Sequence, residues 1–280
     1  AFRRAIDSAI ATAGISPALI ATDLHPDYAS GQIGQVLAHQ HGARLVRVQH
    51  HHAHLASCLA EHRRPAGAEA VGIIMDGTGY GADGTVWGGE ILVGGYGTAR
   101  RVGHLPALPL PGGNAAALDP WRNAVAHLRA AFGPGWAAQL NGITGLDWVQ
   151  SPQVATVEAM IDKGINSPLG SSTGRLFDAV AAVLGFAGRQ DFEGEAAIGL
   201  EGMAIAHMNE TEPYRCDLVQ TDGPMVPDWT QVWHGIVADL RRGLPASQIA
   251  ARFHLSLAAC CATIAHRAAA DAGLGQVALS

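Results

Sequence analysis

Apolar positions fall into two regimes along the chain. In the front third they come as short runs at residues 18–22, 45–49, 71–75 and 86–93, each of strand length and bounded by turn-forming residues. Pro26 stops any continuation of the first run. Between the runs, residues 32–41 and 51–62 carry helical spacing, and Leu55, Cys58 and Leu59 share one face of the second. The first residues, from Phe2 onward, also open on a helical pattern. From residue 119 the helical period takes over. It predicts helices at 119–132, 154–162, 173–185, 194–208, 229–242 and 246–270. Asp119 is placed as the N-cap of the first of these, with Pro120 in its first turn. Residues 105–119, rich in Pro and Gly, predict a loop, and residues 276–280 predict a last strand. The expected fold is mixed α/β. Residues 1–95 form one lobe, and residues 96–280 form a mainly helical region that begins a second.

Composition narrows the class. With 280 residues, 48% hydrophobic and 15% charged, the chain can bury a core large enough for two lobes. Net charge is −6 and no Lys/Arg block stands out, so no nucleic-acid partner is expected. Cys58, Cys216, Cys260 and Cys261 form no CxxC pair and no disulfide-like spacing, which fits a reducing cytosol. No apolar run reaches the roughly 18–20 residues of a membrane helix, and no signal-peptide pattern opens the chain. A cytoplasmic protein without a membrane partner is expected. The absent initiator Met and a last strand that stops at Ser280 suggest a piece of a longer protein.

Three segments carry candidate chemistry. In VQHHHAH (residues 48–54) His50 and His54 are four apart, so a helix turns both imidazoles the same way and they can share a divalent cation. His51 and His54, three apart, form the rival pair, and a solvated surface cluster is the plainer alternative. DGTGYGADG (residues 76–84) follows an apolar strand and precedes another. Its glycines, Gly77, Gly79 and Gly81, with Thr78, let backbone N–H groups approach phosphate, and Asp76 sits beside them as a metal ligand. A plain Gly-rich hairpin is the alternative. In GSSTGRLFD (residues 170–178) Ser171 or Ser172 can cap a helix whose start faces an anion. Gly174 lies in that start, and Asp178, one turn inside, can accept from ribose hydroxyls. FEGE (residues 192–195) places Gly194 between two acids, though Glu195 also reads as ordinary N-terminal helix charge.

Together these segments resemble the HypF-type carbamoyltransferases of [NiFe] hydrogenase maturation. The resemblance rests on DLHPDY (23–28), VQHHHAH (48–54), AEH (60–62) and DGTGYGADGTVWGGE (76–90). LPLPGG (108–113), PWR (120–122), SSTGRLFDAVAAVLG (171–185) and FEGEAA (192–197) complete it. It runs from about residue 19 to the C-terminus. It implies the C-terminal, TsaD-like transferase domain with the two-lobed actin-like ATPase (ASKHA) architecture, its second lobe incomplete here.

The family forms carbamoyl-adenylate from carbamoyl phosphate and ATP at an upstream adenylate-forming domain. The transferase domain then passes the carbamoyl group to the C-terminal cysteine thiol of a HypE partner, on the way to the cyanide ligands of iron. Carried onto this chain, His50, His54 and Asp76 match the metal and catalytic set, iron or zinc being the metal. Asp178 matches the ribose-binding aspartate, and Gly194 falls in a nucleotide-contact segment. The family domain continues past residue 280 with a second Gly-rich loop and a further metal-ligating aspartate.

Three other readings compete. A small-molecule O-carbamoyltransferase would share the fold and the metal pair. A catalytically silent nucleotide- or metal-binding docking module is a second. A zinc hydrolase is a third, and it lacks the HExxH spacing.

Overall fold

The structure is a computed structural model and describes residues 1–219 and 222–280. It opens with α1 (Phe2–Ala13), β1 (Leu19–Asp23), α2 (Ala29–His41), β2 (Arg44–Val48) and α3 (His50–Glu61). β1 and β2 pair in parallel, joined by the α2 crossover. A meander follows, β3 (Glu69–Tyr80), β4 (Val86–Gly95) and β5 (Ala99–His104). Next come β6 (Leu108–Pro109), α4 (Asn114–Leu118), α5 (Pro120–Phe132), α6 (Pro152–Lys163), β7 (Leu169–Gly170), α7 (Thr173–Val183) and α8 (Glu195–Ala204). The chain finishes with a β8 (Asp217–Val219) and β9 (Val226–Asp228) hairpin, α9 (Thr230–Arg241), α10 (Ala246–Ala272) and β10 (Val277–Leu279).

The main sheet has the order β10-β3-β4-β7-β6, with β5 also on β4. β3 and β4 are apolar on both faces because both faces are covered. Ala70, Ile74 and Leu92 pack under Leu55 and Leu59 of α3. The alternate positions Val71, Ile73, Ile91 and Val93 face the helical layer, where they join Leu176 and Val180 of α7 and Ile264 of α10. Leu55 is fully buried, and cutting it to Ala would cost about 2–5 kcal/mol.

Several expectations change. The division at residue 95/96 cuts through the sheet, since β4 and β5 pair from Glu90↔His104 to Gly94↔Ala99. β5 (ARRVGH) escaped the sequence reading because its two arginines mask a half-buried strand. The 105–119 loop holds β6 and α4. Asp119 is the N-cap of α5 as expected, but its carboxylate makes no capping bond and takes Arg122 and Arg189 instead. Cys216 and Cys260 are joined as a disulfide, which their separation of 44 residues gave no means to foresee. α10 is long and apolar enough, by length and composition, to cross a membrane, although Arg252 and Arg267 interrupt it. It packs against α8, α9, β3 and β4.

Candidate active site

Two local breaks in regular structure build the site. The first is in β3, whose ladder with β4 runs to Met75↔Gly89 and resumes at Gly79↔Trp87. Asp76, Gly77 and Thr78 therefore stand opposite Gly88 alone, and this bulge takes Asp76 out of the ladder. The second is the junction after β2. Gln49 keeps an extended backbone and its side-chain oxygen accepts from the His52 N–H at 2.9 Å, capping α3. The cap starts the helix at His50, so His50 and His54 fall one turn apart on one face.

The two breaks meet. His50 Nε2 lies 3.1 Å from Asp76 Oδ2. One nitrogen of His54 completes a set whose three ligand atoms lie within 4.8 Å of one another. On its other side, His50 Nδ1 is 2.9 Å from Asp23 Oδ2 at the end of β1. An ionised carboxylate only accepts, so Nδ1 carries a proton, and in the neutral ring Nε2 keeps a lone pair. That Nε2 faces Asp76 Oδ2, which is buried and makes no hydrogen bond among the described residues. Two acceptors this close repel unless a cation or a proton lies between them. Two imidazoles and a carboxylate are a donor set that fits a divalent metal, iron and zinc alike. His54 Nδ1 is held by the Ser280 hydroxyl at 2.8 Å. His51 is fully buried between these groups and Trp87. Burial lowers its pKa to about 4 against the opposing pull of Asp76, so its ring is neutral at pH 7.

The glycines of residues 76–84 serve close approach. A Cβ on Gly79 would stand 2.5 Å from His51 Cε1 and 2.9 Å from His50 Cδ2. A Cβ on Gly81 would run into the Trp87 indole. The start of α7 abuts the bulge. Ser172 caps α7 through the Arg175 N–H at 3.0 Å and donates its hydroxyl to the Gly77 carbonyl at 2.5 Å. A Cβ on Gly174 would sit 3.1 Å from Gly77 Cα. Beside this junction lies a cavity of about 370 Å³, a size that suits a small ligand. Thr78, Gly113, Asn114, Arg175 and Glu193 are among its lining residues. Arg175 Nη1 is a buried donor without a hydrogen-bond partner among the described residues. Gly194 is the N-cap of α8 with φ 88°.

Asp178 lies inside α7, as the spacing predicts, and is buried there. It is 1% exposed, accepts from Gln190 Nε2 at 3.1 Å and faces Arg175 Nε at 2.9 Å. Burial raises its pKa to about 6 in spite of Arg175. Arg175 lines the cavity and Asp178 does not.

Asp23, Gln49, Glu90, Arg101 and the cavity's Arg175 escaped the sequence reading. Asp23 and Gln49 orient the imidazoles. Glu90 and Arg101 lock the hairpin from behind: Arg101 bonds Glu90, Asp83 and Ser171 and stacks 4.2 Å over Trp87. A charged residue inside the apolar 86–93 run was the available signal for Glu90.

The sheet, the bulge and the imidazole pair define a Kae1-like domain of the actin-like ATPase fold. A family model described as "HypF Kae1-like domain" matches residues 1–61. A second, described as "Carbamoyltransferase, Kae1-like Domain, second subdomain", matches residues 72–280. The chain belongs to the HypF carbamoyltransferase family. Carbamoyltransferase HypF of Rhodobacter capsulatus is 48% identical over 190 residues, covering 67% of this chain and 25% of that protein. A carbamoyltransferase HypF homolog of Cupriavidus necator is 40% identical over 265 residues, 93% of this chain and 65% of that protein. A crystal structure of full-length HypF in a phosphate- and nucleotide-bound form superposes with a TM-score of 0.88 at 34% identity. It covers 99% of this chain and 34% of the solved one. The chain thus spans between a quarter and about two thirds of these relatives.

Proposed function

We propose that this chain is the transferase centre of a HypF-type carbamoyltransferase. It binds a divalent metal, iron or zinc, on His50, His54 and Asp76 and takes carbamoyl-adenylate beside it. It then passes the carbamoyl group to the C-terminal cysteine thiol of a HypE-type partner. The adenylate is made from carbamoyl phosphate and ATP by an upstream domain of the same protein, and the work is cytoplasmic.

One observation carries the reading: the His50 lone pair and the unpartnered Asp76 oxygen, 3.1 Å apart, with His54 closing the set. Bound there, the metal would supply Lewis acidity toward carbonyl and phosphate oxygens. Thr78 and the free Nη1 of Arg175 offer a hydroxyl and a positive charge to phosphate at the cavity. The Ser172–Gly77 bond keeps that wall fixed against the metal ligands. In the transfer a carbon–sulfur bond forms as the carbamoyl carbon–oxygen bond to phosphate breaks. AMP leaves, and the thiol proton passes to solvent.

The test is metal content and carbamoyl-adenylate binding on this chain, on a version extended past Ser280, and on His54→Ala in the extended form. About one metal per extended chain, lost together with the adenylate in the variant, is the expected result. Unchanged binding in the variant would remove the His cluster as the site and bring the docking-module reading forward.

A further inference from the structure

We infer that Gln49 is a positioning residue that fixes the tautomer of His51, so that His51 presents a neutral Nε2–H to the Asp76 carboxylate and is not itself a metal ligand. The inference rests on the metal reading above and adds the residues that hold its carboxylate in place.

The amide of Gln49 is held on three sides. Its oxygen accepts from the His52 backbone N–H at 2.9 Å, and its nitrogen lies 3.1 Å from the Tyr80 carbonyl and 3.0 Å from His51 Nδ1. Turning the amide over would set carbonyl against carbonyl at Tyr80 and NH2 against N–H at His52, and both contacts repel. The network therefore fixes the orientation. The amide nitrogen donates one hydrogen to Tyr80 and the other to His51, so His51 Nδ1 is an acceptor. A neutral imidazole that accepts at Nδ1 carries its proton on Nε2.

That Nε2–H is buried, has no hydrogen-bond partner among the described residues and lies 3.6 Å from Asp76 Oδ2. A shift of the carboxylate by roughly half an ångström makes the bond. Leaving a buried donor unmet is costly, so the Nε2–H draws the Asp76 carboxylate toward it. A lone pair on Nε2 would be needed for His51 to bind a metal there, and Gln49 removes it. This separates the two pairs that spacing left open: His50/His54 can ligate and His51/His54 cannot. The neighbours set adjacent rings in opposite tautomers. His50 is set by an acceptor, Asp23, and His51 by a donor, Gln49. His50 and Asp76 thus each have their own support, from Asp23 and from His51, which is how outer groups tune metal affinity.

The test uses the full chain with 15N-labelled histidine. Long-range nitrogen–proton NMR on the metal-free protein reads each tautomer directly, so this arm does not depend on the metal. His51 is expected as the Nε2–H form and His50 as the Nδ1–H form. In Gln49→Glu the side chain can only accept from His51, which then moves its proton to Nδ1. Zn2+ affinity, by competition titration, should fall on the order of 10–100-fold. His51→Gln keeps an N–H on a side chain of similar reach and should hold affinity within about threefold. His51→Ala should lose about tenfold or more. A wild-type His51 protonated on Nδ1 would overturn the inference. So would a Gln49→Glu protein with wild-type affinity, or a His51→Gln protein no better than His51→Ala. If His54→Ala leaves Zn2+ affinity unchanged, the metal reading fails instead, whatever the NMR gives.

Discussion

Glu90 is a fully buried carboxylate in the middle of the sheet, and replacing its counter-charge tests how the hairpin is held. It accepts from the Gly88 and Gly89 N–H groups at 3.0 and 3.3 Å, from the Ser171 hydroxyl at 2.5 Å and from Arg101 Nε at 2.5 Å. Arg101 supplies the positive charge among these contacts. Arg101→Met keeps most of the stem over Trp87 but leaves the carboxylate buried and uncompensated. Breaking one side of a buried pair costs about 3–5 kcal/mol. Three neutral donors remain, so about 3 kcal/mol is expected, or roughly 6–12 °C in Tm at about 2–4 °C per kcal/mol. Urea unfolding and calorimetry read it. The double change Arg101→Met with Glu90→Met removes the stranded charge and should recover at least about half the loss. A single-variant loss under about 1 kcal/mol, or a double variant that merely adds the two losses, would refute the claim that the pair is needed for charge compensation.

Other perturbations follow from the same geometry. Gly79→Ala drives a methyl into the His50 and His51 rings and should weaken Zn2+ binding by about tenfold or more in a folded chain, read by titration beside near-ultraviolet circular dichroism. His127 is buried, which lowers its pKa to about 3, below the 6.5 of the unfolded chain. The unfolded state therefore takes the proton first, and stability is lost as pH falls below 6.5, by about 1.4 kcal/mol per unit. His127→Phe should lack that slope in urea unfolding between pH 7 and 5; an identical slope would count against it. Asp178 has the opposite sign. Its folded pKa of about 6 stands above the unfolded 3.8, so its contribution is present below 3.8 and lost as pH rises to about 6. Over that window Asp178→Asn should gain about 3 kcal/mol relative to wild type, and a flat difference would refute the assignment.

Much of the fold was legible because burial leaves a periodic trace. The 71–75 and 86–93 runs read as strands because α3 and α7 cover both faces, and α3 read as a helix from Leu55 and Leu59. β5 did not read, since Arg100 faces solvent while Arg101 turns inward to pair with Glu90, and two adjacent arginines hide the alternation. At the site, the i, i+4 spacing put His50 and His54 together, but spacing alone could not reject His51. That took the position of one amide nitrogen on Gln49. The glycines of 76–84 announced close approach without saying to what: Gly79 makes room for imidazoles and Gly81 for an indole. Asp178 has the right residue type for a ribose; its Oδ1 is held by Gln190 and its Oδ2 faces Arg175, neighbours that a linear motif does not record.

The pairing of β3 also bears on how the chain comes to be folded. β3 ends at Tyr80, and its outer neighbour β10 begins at Val277. At roughly 5–20 residues per second, a ribosome takes about 10–40 s to make the stretch between them. Throughout that interval an apolar strand with one unpaired edge, carrying Asp76, waits for a partner not yet synthesised. The nascent chain is therefore a client for any chaperone that shields bare strand edges. A stall in translation between the two strands would expose the strand that carries Asp76 to aggregation before Ser280 could reach His54.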